Sequence, residues 1–264
     1  MKENIKIIFV DIDCTILNHE FYPPVFDFDS INALNEAQSK GILIFLSTAR
    51  SYHGVKHTDL FDYLTPDGMI LNNGGLIIIN DQILFQNAID EDVFTKICDE
   101  TLKMNLNLEA SEVYDQFLIA PKNELVEEFY NTYKGSIIPE VKDYHHKKVL
   151  NILLFAHPED EEKVRQIIPD NLNIYRFHNA GVSISNSSNE KGDGVRYVLN
   201  YLKINKDEAR AIGDDIADIS MFKEVASSVS MENGKDEVKN HSSFITKHIN
   251  NSGVKHALKV YKII

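Results

Sequence analysis

Runs of consecutive apolar residues divide the chain into short strand-like segments, and each run is followed by polar or acidic positions. The first run is Ile7–Val10, and similar runs lie within residues 42–47, 69–71 and 208–212. A run without polar alternation is typical of a strand buried on both faces, as in a parallel sheet. The pattern therefore predicts a mainly parallel sheet whose strands end at a common polar edge.

Segments with helical spacing lie between these strands. Residues 30–41 predict a helix with Ser30 as its N-cap and Gly41 at its end, and residues 192–202 predict another. The intervening residues 19–29 contain two adjacent prolines and predict an irregular loop. A strand, a helix and a parallel strand with short links form a right-handed unit, which places the ends of both strands side by side. The chain is therefore predicted to have an α/β fold.

A new series of predicted helices and strands begins at Gln86, after a predicted hairpin formed by residues 76–79 and 82–85. The following segment carries its own helices and strands. The predicted helices span residues 90–102, 124–133 and 158–168, and the predicted strands span residues 106–110, 116–120, 149–155, 174–177 and 182–184. Together they predict a second α/β sheet that helices cover on one face. We therefore expect a core domain of residues 1–85 and 186–264, and an inserted domain of residues 86–185.

Acidic and polar residues follow several of the predicted core strands. Asp11 and Asp13 end the first strand and point to the same side of the chain, where two carboxylates repel each other unless a cation or a shared proton relieves them. Asp-x-Asp alone is a weak signal, because acids at strand ends also cap helices and begin turns. Three further stretches lie at the edges of elements, where open α/β sheets bind their ligands. They are Thr48-Ala49-Arg50, Lys191-Gly192 and the acidic loop from Gly213 to Asp218.

These four stretches, in this order, resemble the motifs of the haloacid dehalogenase-like (HAD) hydrolases, and in particular the Cof-type phosphatases. The resemblance covers nearly the whole chain. The matching stretches are Asp11-Ile12-Asp13-Cys14-Thr15-Ile16, Ser47-Thr48-Ala49-Arg50, Glu190-Lys191-Gly192 and Gly213-Asp214-Asp215-Ile216-Ala217-Asp218, with Asn72-Asn73-Gly74-Gly75 as a further turn. Four ordered motifs are far more specific than any one of them. The resemblance implies a Rossmann-like parallel-sheet core with an inserted α/β cap domain.

The resemblance also implies a mechanism, namely phosphomonoester hydrolysis through an aspartyl-phosphate. Asp11 would be the nucleophile, and Asp13 would protonate the leaving oxygen and then activate water. The expected cofactor is Mg²⁺, which takes oxygen ligands. Its implied ligands are Asp11, Asp13 through its carbonyl and Asp214, with Asp218 as a further ligand or as a supporting residue beside them. The implied phosphate contacts come from Thr48, Ala49, Arg50 and Lys191.

The sequence departs from the family pattern at three positions near the expected site. Ala217 stands where the family usually has Asn, which removes one polar group near the phosphate. Ala49 and Cys14 stand where the family usually has Gly. Alanine keeps its backbone N–H and costs little if its φ is negative. No charged group is lost, so we expect an active enzyme with altered rate or selectivity.

Composition limits the partners. The 264 residues are 43% hydrophobic, which suffices for packed cores, and the formal net charge of −13 argues against nucleic acid or an anionic membrane as a partner. The expected partner is a small phosphorylated metabolite, and oligomeric state leaves no signal in the sequence. Two cysteines give no disulfide framework, and no apolar run approaches the roughly 20 residues of a membrane span. We therefore expect a cytoplasmic protein.

Three other functions use similar residues. A phosphotransferase or phosphomutase would pass the phosphoryl group to a sugar hydroxyl instead of water. A receiver-type signalling domain also uses Asp, Thr and Lys around Mg²⁺, but within one domain of roughly 100–150 residues. Here an inserted domain separates Asp11 from Lys191. A catalytically silent phosphate sensor has only Ala217 in its favour.

Overall fold

The structure is a computed structural model that describes residues 4–132 and 137–264. Its strands are β1 (Ile7–Val10), β2 (Leu17–Asn18), β3 (Val25–Phe26), β4 (Leu43–Ser47), β5 (Gly68–Leu71), β6 (Leu76–Ile79), β7 (Gln82–Gln86), β8 (Asn107–Ser111), β9 (Gln116–Leu118), β10 (Asn151–Phe155), β11 (Leu172–His178), β12 (Gly181–Asn186), β13 (Ala209–Gly213), β14 (Ser227–Ser230) and β15 (Phe244–Ile245).

The α-helices of the described residues are α1 (Phe28–Ser39), α2 (Tyr52–Lys56), α3 (Glu91–Lys103), α4 (Glu124–Thr132), α5 (Glu161–Ile167), α6 (Lys191–Leu202), α7 (Asp218–Phe222), α8 (Asp236–His241) and α9 (Gly253–Val260). None of these helices combines the length and the apolar character that a membrane crossing requires. The helix predicted over residues 124–133 corresponds to α4, and Tyr133 lies outside the described residues.

The chain divides into two compact units. The first unit comprises the described residues of Met1–Arg50, Asp59–Phe85 and Glu190–Ile264, and the second comprises those of Ser51–Thr58 and Gln86–Asn189. The second unit thus includes α2, which precedes the insert by about thirty residues of chain.

The first unit is built on an eight-stranded sheet in the order β15-β14-β13-β1-β4-β5-β6-β7. Neighbouring strands from β15 to β5 run parallel, and β6 runs antiparallel to β5. The register places Val10 beside both Leu46 and Ile212. Because these three residues are level, the residues that follow them emerge together at the carboxyl edge of the sheet. The predicted α/β fold with a mainly parallel sheet is confirmed.

Apolar side chains on one face of this sheet form a core with α6 and α7. Phe9 and Phe45 are fully buried there, with their ring centroids 5.7 Å apart, and Val195 and Val198 of α6 are buried in the same cluster. Burying a side chain of this size stabilises the fold by about 1.5–3 kcal/mol. This packing fixes α6 against the sheet, and with it the position of the first residue of α6, Lys191.

The segment before α1 differs from the prediction. Leu17–Asn18 and Val25–Phe26 pair as a short antiparallel hairpin within and beside the predicted loop. The N-cap of α1 is Asp27 instead of Ser30, because the Asp27 carboxylate accepts the backbone N–H and the hydroxyl of Ser30. A carboxylate that also faces the helix dipole is a better N-cap than a hydroxyl three positions later.

The second unit contains a five-stranded antiparallel sheet in the order β11-β12-β10-β8-β9. Buried side chains of α3 and α5 pack on one face. On the other face, Leu118 and Phe155 pack with Val126 and Phe129 of α4. The prediction that helices cover one face only is therefore wrong. Successive residues of β9 and β10 point to opposite faces of the sheet, and those on both faces are apolar. Helices must therefore shield both faces from water.

Candidate active site

Asp11 lies at the carboxyl edge of the first unit's sheet. Its backbone N–H donates to the Ile212 carbonyl at 3.0 Å, which continues the β1 to β13 pairing by one residue. The side chain is only 7% exposed. The sheet therefore holds this carboxylate in a fixed position, largely removed from water.

Lys191 is the buried cation beside Asp11. Its Nζ lies 3.0 Å from Asp11 Oδ1 and 2.6 Å from Asp218 Oδ1. Burial favours the neutral amine, but the charges of Asp11 and Asp218 outweigh it and raise the pKa of Lys191 above its ordinary value. The ammonium is therefore permanently charged in this position.

Asp218 organises the loop that follows β13. Its Oδ2 accepts the backbone N–H groups of Asp214 at 2.8 Å and Asp215 at 2.9 Å. Asp218 is the first residue of α7, and its carboxylate accepts hydrogen bonds from the backbone of the loop that precedes the helix. A Cβ on Gly213 would lie 2.2 Å from Asp218 Oδ2, so a side chain at position 213 would displace this carboxylate.

Three carboxylates converge at this edge. Asp11, Asp214 and Asp218 each offer an oxygen, and these oxygens all lie within 4.8 Å of one another. Burial and then the charge of Asp218 raise the pKa of Asp214 to about 7. Burial, and the charges of Asp218 and Asp214, also raise the pKa of Asp11 well above its usual range, although Lys191 opposes this. A group of crowded oxygen ligands fits a hard divalent cation, which would relieve the repulsion.

Asp13 is bound by two basic side chains. Arg50 donates from Nε to Asp13 Oδ2 at 2.8 Å and from its guanidinium NH₂ to Oδ1 at 2.7 Å, and His19 Nε2 lies 2.6 Å from Oδ1. Burial would raise the pKa of Asp13, but the hydrogen bonds from His19 and Arg50 outweigh it and hold the pKa well below its usual range. The side chain is not part of the group formed by the other three carboxylates.

The loop after β4 carries the predicted phosphate contacts. Thr48 is 1% exposed, and its hydroxyl accepts the backbone N–H of Arg50 at 3.1 Å. Ala49 is exposed, and its φ is not positive, so alanine is unstrained in place of the usual glycine. The structure thus joins Thr48, Ala49 and Arg50 in one short loop whose arginine contacts Asp13.

Several side chains that hold the site were not predicted. The Thr15 hydroxyl donates to Asp214 Oδ1 at 3.0 Å, and the Ser220 hydroxyl accepts the Gly192 N–H at 3.0 Å. Asn233 Nδ2 donates to the Cys14 carbonyl at 2.7 Å. Thr15 lies within the first motif and could have been inferred from it. Ser220, Asn233 and His19 lie in ordinary polar stretches, where only the folded chain reveals their partners.

Cys14 is expected to be unreactive in the metal-free protein. Burial, and then the charges of Asp214 and Asp13, raise the pKa of its thiol to about 12 from the ordinary 9.0. At pH 8 the thiolate fraction should therefore be about 10³-fold lower than in the unfolded chain, and alkylation correspondingly slower. Alkylation by iodoacetamide, followed by peptide mass spectrometry in the native and denatured protein, measures this ratio. Equal rates in the two states would contradict this electrostatic picture.

Comparison with known proteins places this geometry in a family. The family model of haloacid dehalogenase-like hydrolases matches residues 8–258. The chain is 25% identical over 260 residues to the protein named "Putative phosphatase YkrA" of Bacillus subtilis, covering 96% of both chains. It superimposes on a HAD subclass IIB sugar phosphatase with a TM-score of 0.76 and 25% identity, covering 98% of this chain and 100% of the other.

A hypothetical protein of Geobacillus kaustophilus has the same fold, with a TM-score of 0.89 at 24% identity and coverage of 98% and 100%. The resemblance inferred from the four motifs is confirmed. The family model spans the acidic edge of the sheet, the inserted segment and Lys191 alike. The chain therefore belongs to the haloacid dehalogenase-like hydrolases.

Proposed function

We propose that this protein is a Mg²⁺-dependent phosphatase that hydrolyses small phosphomonoesters through an aspartyl-phosphate on Asp11. The observation that carries the proposal is the setting of Asp11. It is a buried carboxylate with a fixed cation, Lys191, 3.0 Å away, and it shares the sheet edge with Asp214 and Asp218. A nucleophile, a charge-neutralising cation and a cation-binding carboxylate group are the parts that phosphoryl transfer requires.

In the first step, an Asp11 oxygen forms a bond to phosphorus while the bond from phosphorus to the leaving oxygen breaks. Asp13 gives that oxygen a proton, and the alcohol departs. In the second step, Asp13 takes a proton from water as the water oxygen attacks phosphorus, which releases inorganic phosphate and regenerates the Asp11 carboxylate. General acid–base help of this kind contributes about 10²–10⁴ in rate.

Asp13 needs a change of partner to perform the first step. Its carboxylate is held by Arg50 and His19, which favours the ionised form that serves as the base. Acting as an acid requires that Asp13 gain a proton and that at least one of these contacts be exchanged. We propose that this exchange accompanies substrate binding, because the phosphate is an alternative anionic partner for Arg50.

The phosphoryl oxygens would be held by four groups of this chain. These groups are the Thr48 hydroxyl, the Ala49 N–H, the Arg50 guanidinium and the Lys191 ammonium. Asp11, the Asp13 carbonyl and Asp214 would hold Mg²⁺, with Asp218 beside them, and the ion would neutralise charge on the transferring phosphoryl group. Both Asp218 oxygens already accept hydrogen bonds, which favours a supporting role for this residue.

The substrate class is proposed from the insert and the relatives. Residues 86–185 would form the cap domain that selects the leaving group. A sugar phosphatase among the structural relatives favours sugar phosphates, and phosphorylated cofactors are the second candidate class. We propose a cytoplasmic location, in keeping with two cysteines that are both unpaired.

The test is release of inorganic phosphate from a panel of sugar phosphates and phosphorylated cofactors, with Mg²⁺ and with EDTA. The proposal predicts release that EDTA abolishes and that added Mg²⁺ restores. Adding an acceptor sugar in a parallel assay separates hydrolysis from phosphoryl transfer. If no substrate released inorganic phosphate and the phosphoryl group appeared on the acceptor sugar instead, the protein would be a phosphotransferase and the proposal of a phosphatase would be wrong.

Stability should depend on pH and Mg²⁺ together. The folded-state pKa of Asp214 is raised from 3.8 to about 7, so the metal-free folded protein holds a proton that the unfolded chain has already released. Its free energy of unfolding should therefore fall as pH rises between these two values. Mg²⁺ at 100-fold its dissociation constant would add about 2.7 kcal/mol, and protons compete with it at low pH.

The expected result is a larger Mg²⁺-induced rise in Tm at pH 8 than at pH 5, measured by calorimetry. Asp214→Asn should reduce this difference, because one titrating carboxylate of the group and one proposed Mg²⁺ ligand are gone. An equal rise at both pH values in the wild type would show that the carboxylate group does not bind the metal.

A further inference from the structure

The turn between β5 and β6 has an unusual backbone. Asn72–Gly74 forms a single 3₁₀ turn in which φ is 50° at Asn72, 54° at Asn73 and 98° at Gly74. Two consecutive non-glycine residues in the left-handed region are uncommon, although asparagine tolerates it best. Such backbone persists only where the surrounding structure holds it, and it is concentrated at functional sites.

One side of this turn holds the loop that carries Thr48. The Asn72 N–H donates to the Arg50 carbonyl at 3.0 Å, and the Asn73 N–H donates to the Thr48 carbonyl at 3.1 Å. The Thr48 N–H in turn donates to the Ile70 carbonyl at 2.9 Å. The loop of Thr48 and Arg50 is therefore fixed from both ends by main-chain hydrogen bonds.

The Asn72 side chain does not hold the turn in this conformation. It is 3% exposed, and neither its amide oxygen nor its amide nitrogen has a hydrogen-bond partner among the described residues. A buried amide without a partner costs about 1–3 kcal/mol. The side chain therefore gives the turn no hydrogen bond among the described residues, and the contacts that hold the turn come from its main chain.

The other side of the turn contacts the start of α6. A Cβ on Gly74 would lie 2.3 Å from the carbonyl oxygen of Glu190, the N-cap of α6. A Cβ on Gly194, in the first turn of α6, would lie 3.4 Å from the Gly74 Cα. Main chain therefore packs on main chain here, with no side chain between them that could adjust. Lys191 is the next residue after Glu190.

We infer that the turn Asn72–Gly74 is a positioning element that sets Thr48 and Lys191 at their working separation, with Gly74 as its key positioning residue. Neither group is placed by its own side-chain contacts alone. Main-chain hydrogen bonds connect Thr48 to the turn. Lys191 is the first residue of a helix whose start packs against Gly74. The inference rests on the proposed function, because it assigns both groups to the phosphate of the substrate.

The test is Gly74→Ala, with Gly41→Ala as the matched control. Both glycines have positive φ, 98° at Gly74 and 86° at Gly41, so alanine strains the backbone similarly at either position. Only at position 74 does the new Cβ meet other atoms, since nothing lies within 4 Å of the corresponding position at Gly41. The difference between the variants therefore isolates the contact with Glu190.

The expected result for Gly74→Ala is a fall of at least about tenfold in kcat/KM, with weaker binding of inorganic phosphate by calorimetry in Mg²⁺. Gly41→Ala should stay within twofold of the wild type in both. Rates are corrected for the folded fraction at the assay temperature, so a loss of stability alone does not count. Equal kinetics and phosphate affinity in the two variants would overturn the inference.

Two further measurements keep the test decisive. If Gly74→Ala does not fold, Gly194→Ala is the substitute, because its new Cβ would lie 2.5 Å from the Ile70 side chain at the same helix start. The Ile70 side chain can move aside, so we expect a smaller fall in kcat/KM and in phosphate affinity. Crystal structures of the variants report the separation of Thr48 Oγ1 and Lys191 Nζ, together with the distance from Lys191 Nζ to Asp11 Oδ1, which is 3.0 Å in the wild type. Both distances should change in Gly74→Ala and stay the same in Gly41→Ala, and unchanged distances in Gly74→Ala would overturn the inference. These distances test positioning even if the wild type hydrolyses no phosphomonoester, so failure of the proposed function and failure of this inference are distinguishable.

Discussion

Replacing Asp11 with asparagine is expected to lower kcat for phosphate release by at least about 10⁴-fold, because the substitution removes the nucleophile while preserving its shape. The variant should remain folded. In the metal-free protein, burial and the neighbouring carboxylates already disfavour the Asp11 charge, so a neutral amide relieves repulsion. The measurement is steady-state phosphate release in Mg²⁺ with a saturating substrate from the panel.

The matched control for Asp11→Asn is Asp215→Asn. Asp215 is also an acid at the same edge of the sheet, but its side chain is 47% exposed and pairs with Lys235. Its loss should change kcat by less than about threefold, as for other exposed ion pairs. If Asp11→Asn retained more than a hundredth of the wild-type rate, another group would have to be the nucleophile.

Replacing Lys191 with methionine is expected to give the largest loss of stability among the site variants. The ammonium is 2% exposed and lies between Asp11 and Asp218, so its removal leaves two buried carboxylates facing each other. Removing one partner of a buried ion pair costs about 3–5 kcal/mol. Phosphate release should also fall sharply, since the charge opposite the phosphoryl oxygens is lost.

Arg196→Met is the control for Lys191→Met. Arg196 lies on the same helix, α6, but its side chain is 55% exposed and pairs with Asp193 and Glu224 at the surface. Its loss should cost no more than about 1 kcal/mol. Urea unfolding of both variants gives the comparison. Similar free energies of unfolding for the two would mean that Lys191 does not stabilise the carboxylate group.

The sequence was most informative where a local pattern determines a local structure. Unbroken apolar runs predicted β1 and β4 as buried parallel strands, and four ordered motifs predicted the family. The resemblance implied that Asp11 and Asp214 share a metal ion, which requires that the two carboxylates meet at the carboxyl edge of the sheet. The structure brings these two residues together with Asp218 and Lys191.

The remaining features depend on contacts between distant segments, which no local pattern encodes. The contact of His19 with Asp13 requires the course of the hairpin after β2, and the prolines in that segment predicted only a loop. Asp27 is the N-cap of α1 because its carboxylate accepts the backbone N–H of Ser30 in the folded chain. The contact of Gly74 with Glu190 joins positions more than a hundred residues apart.

The most direct test of the central claim is to locate the phosphoryl group on the enzyme during turnover. Wild-type protein and Asp11→Asn are mixed with the best substrate and Mg²⁺, quenched in acid within milliseconds, digested and analysed by mass spectrometry. The account predicts a phosphorylated peptide that contains Asp11 in the wild type, absent from the variant and from samples with EDTA. Phosphorylation of a different residue during turnover would contradict it.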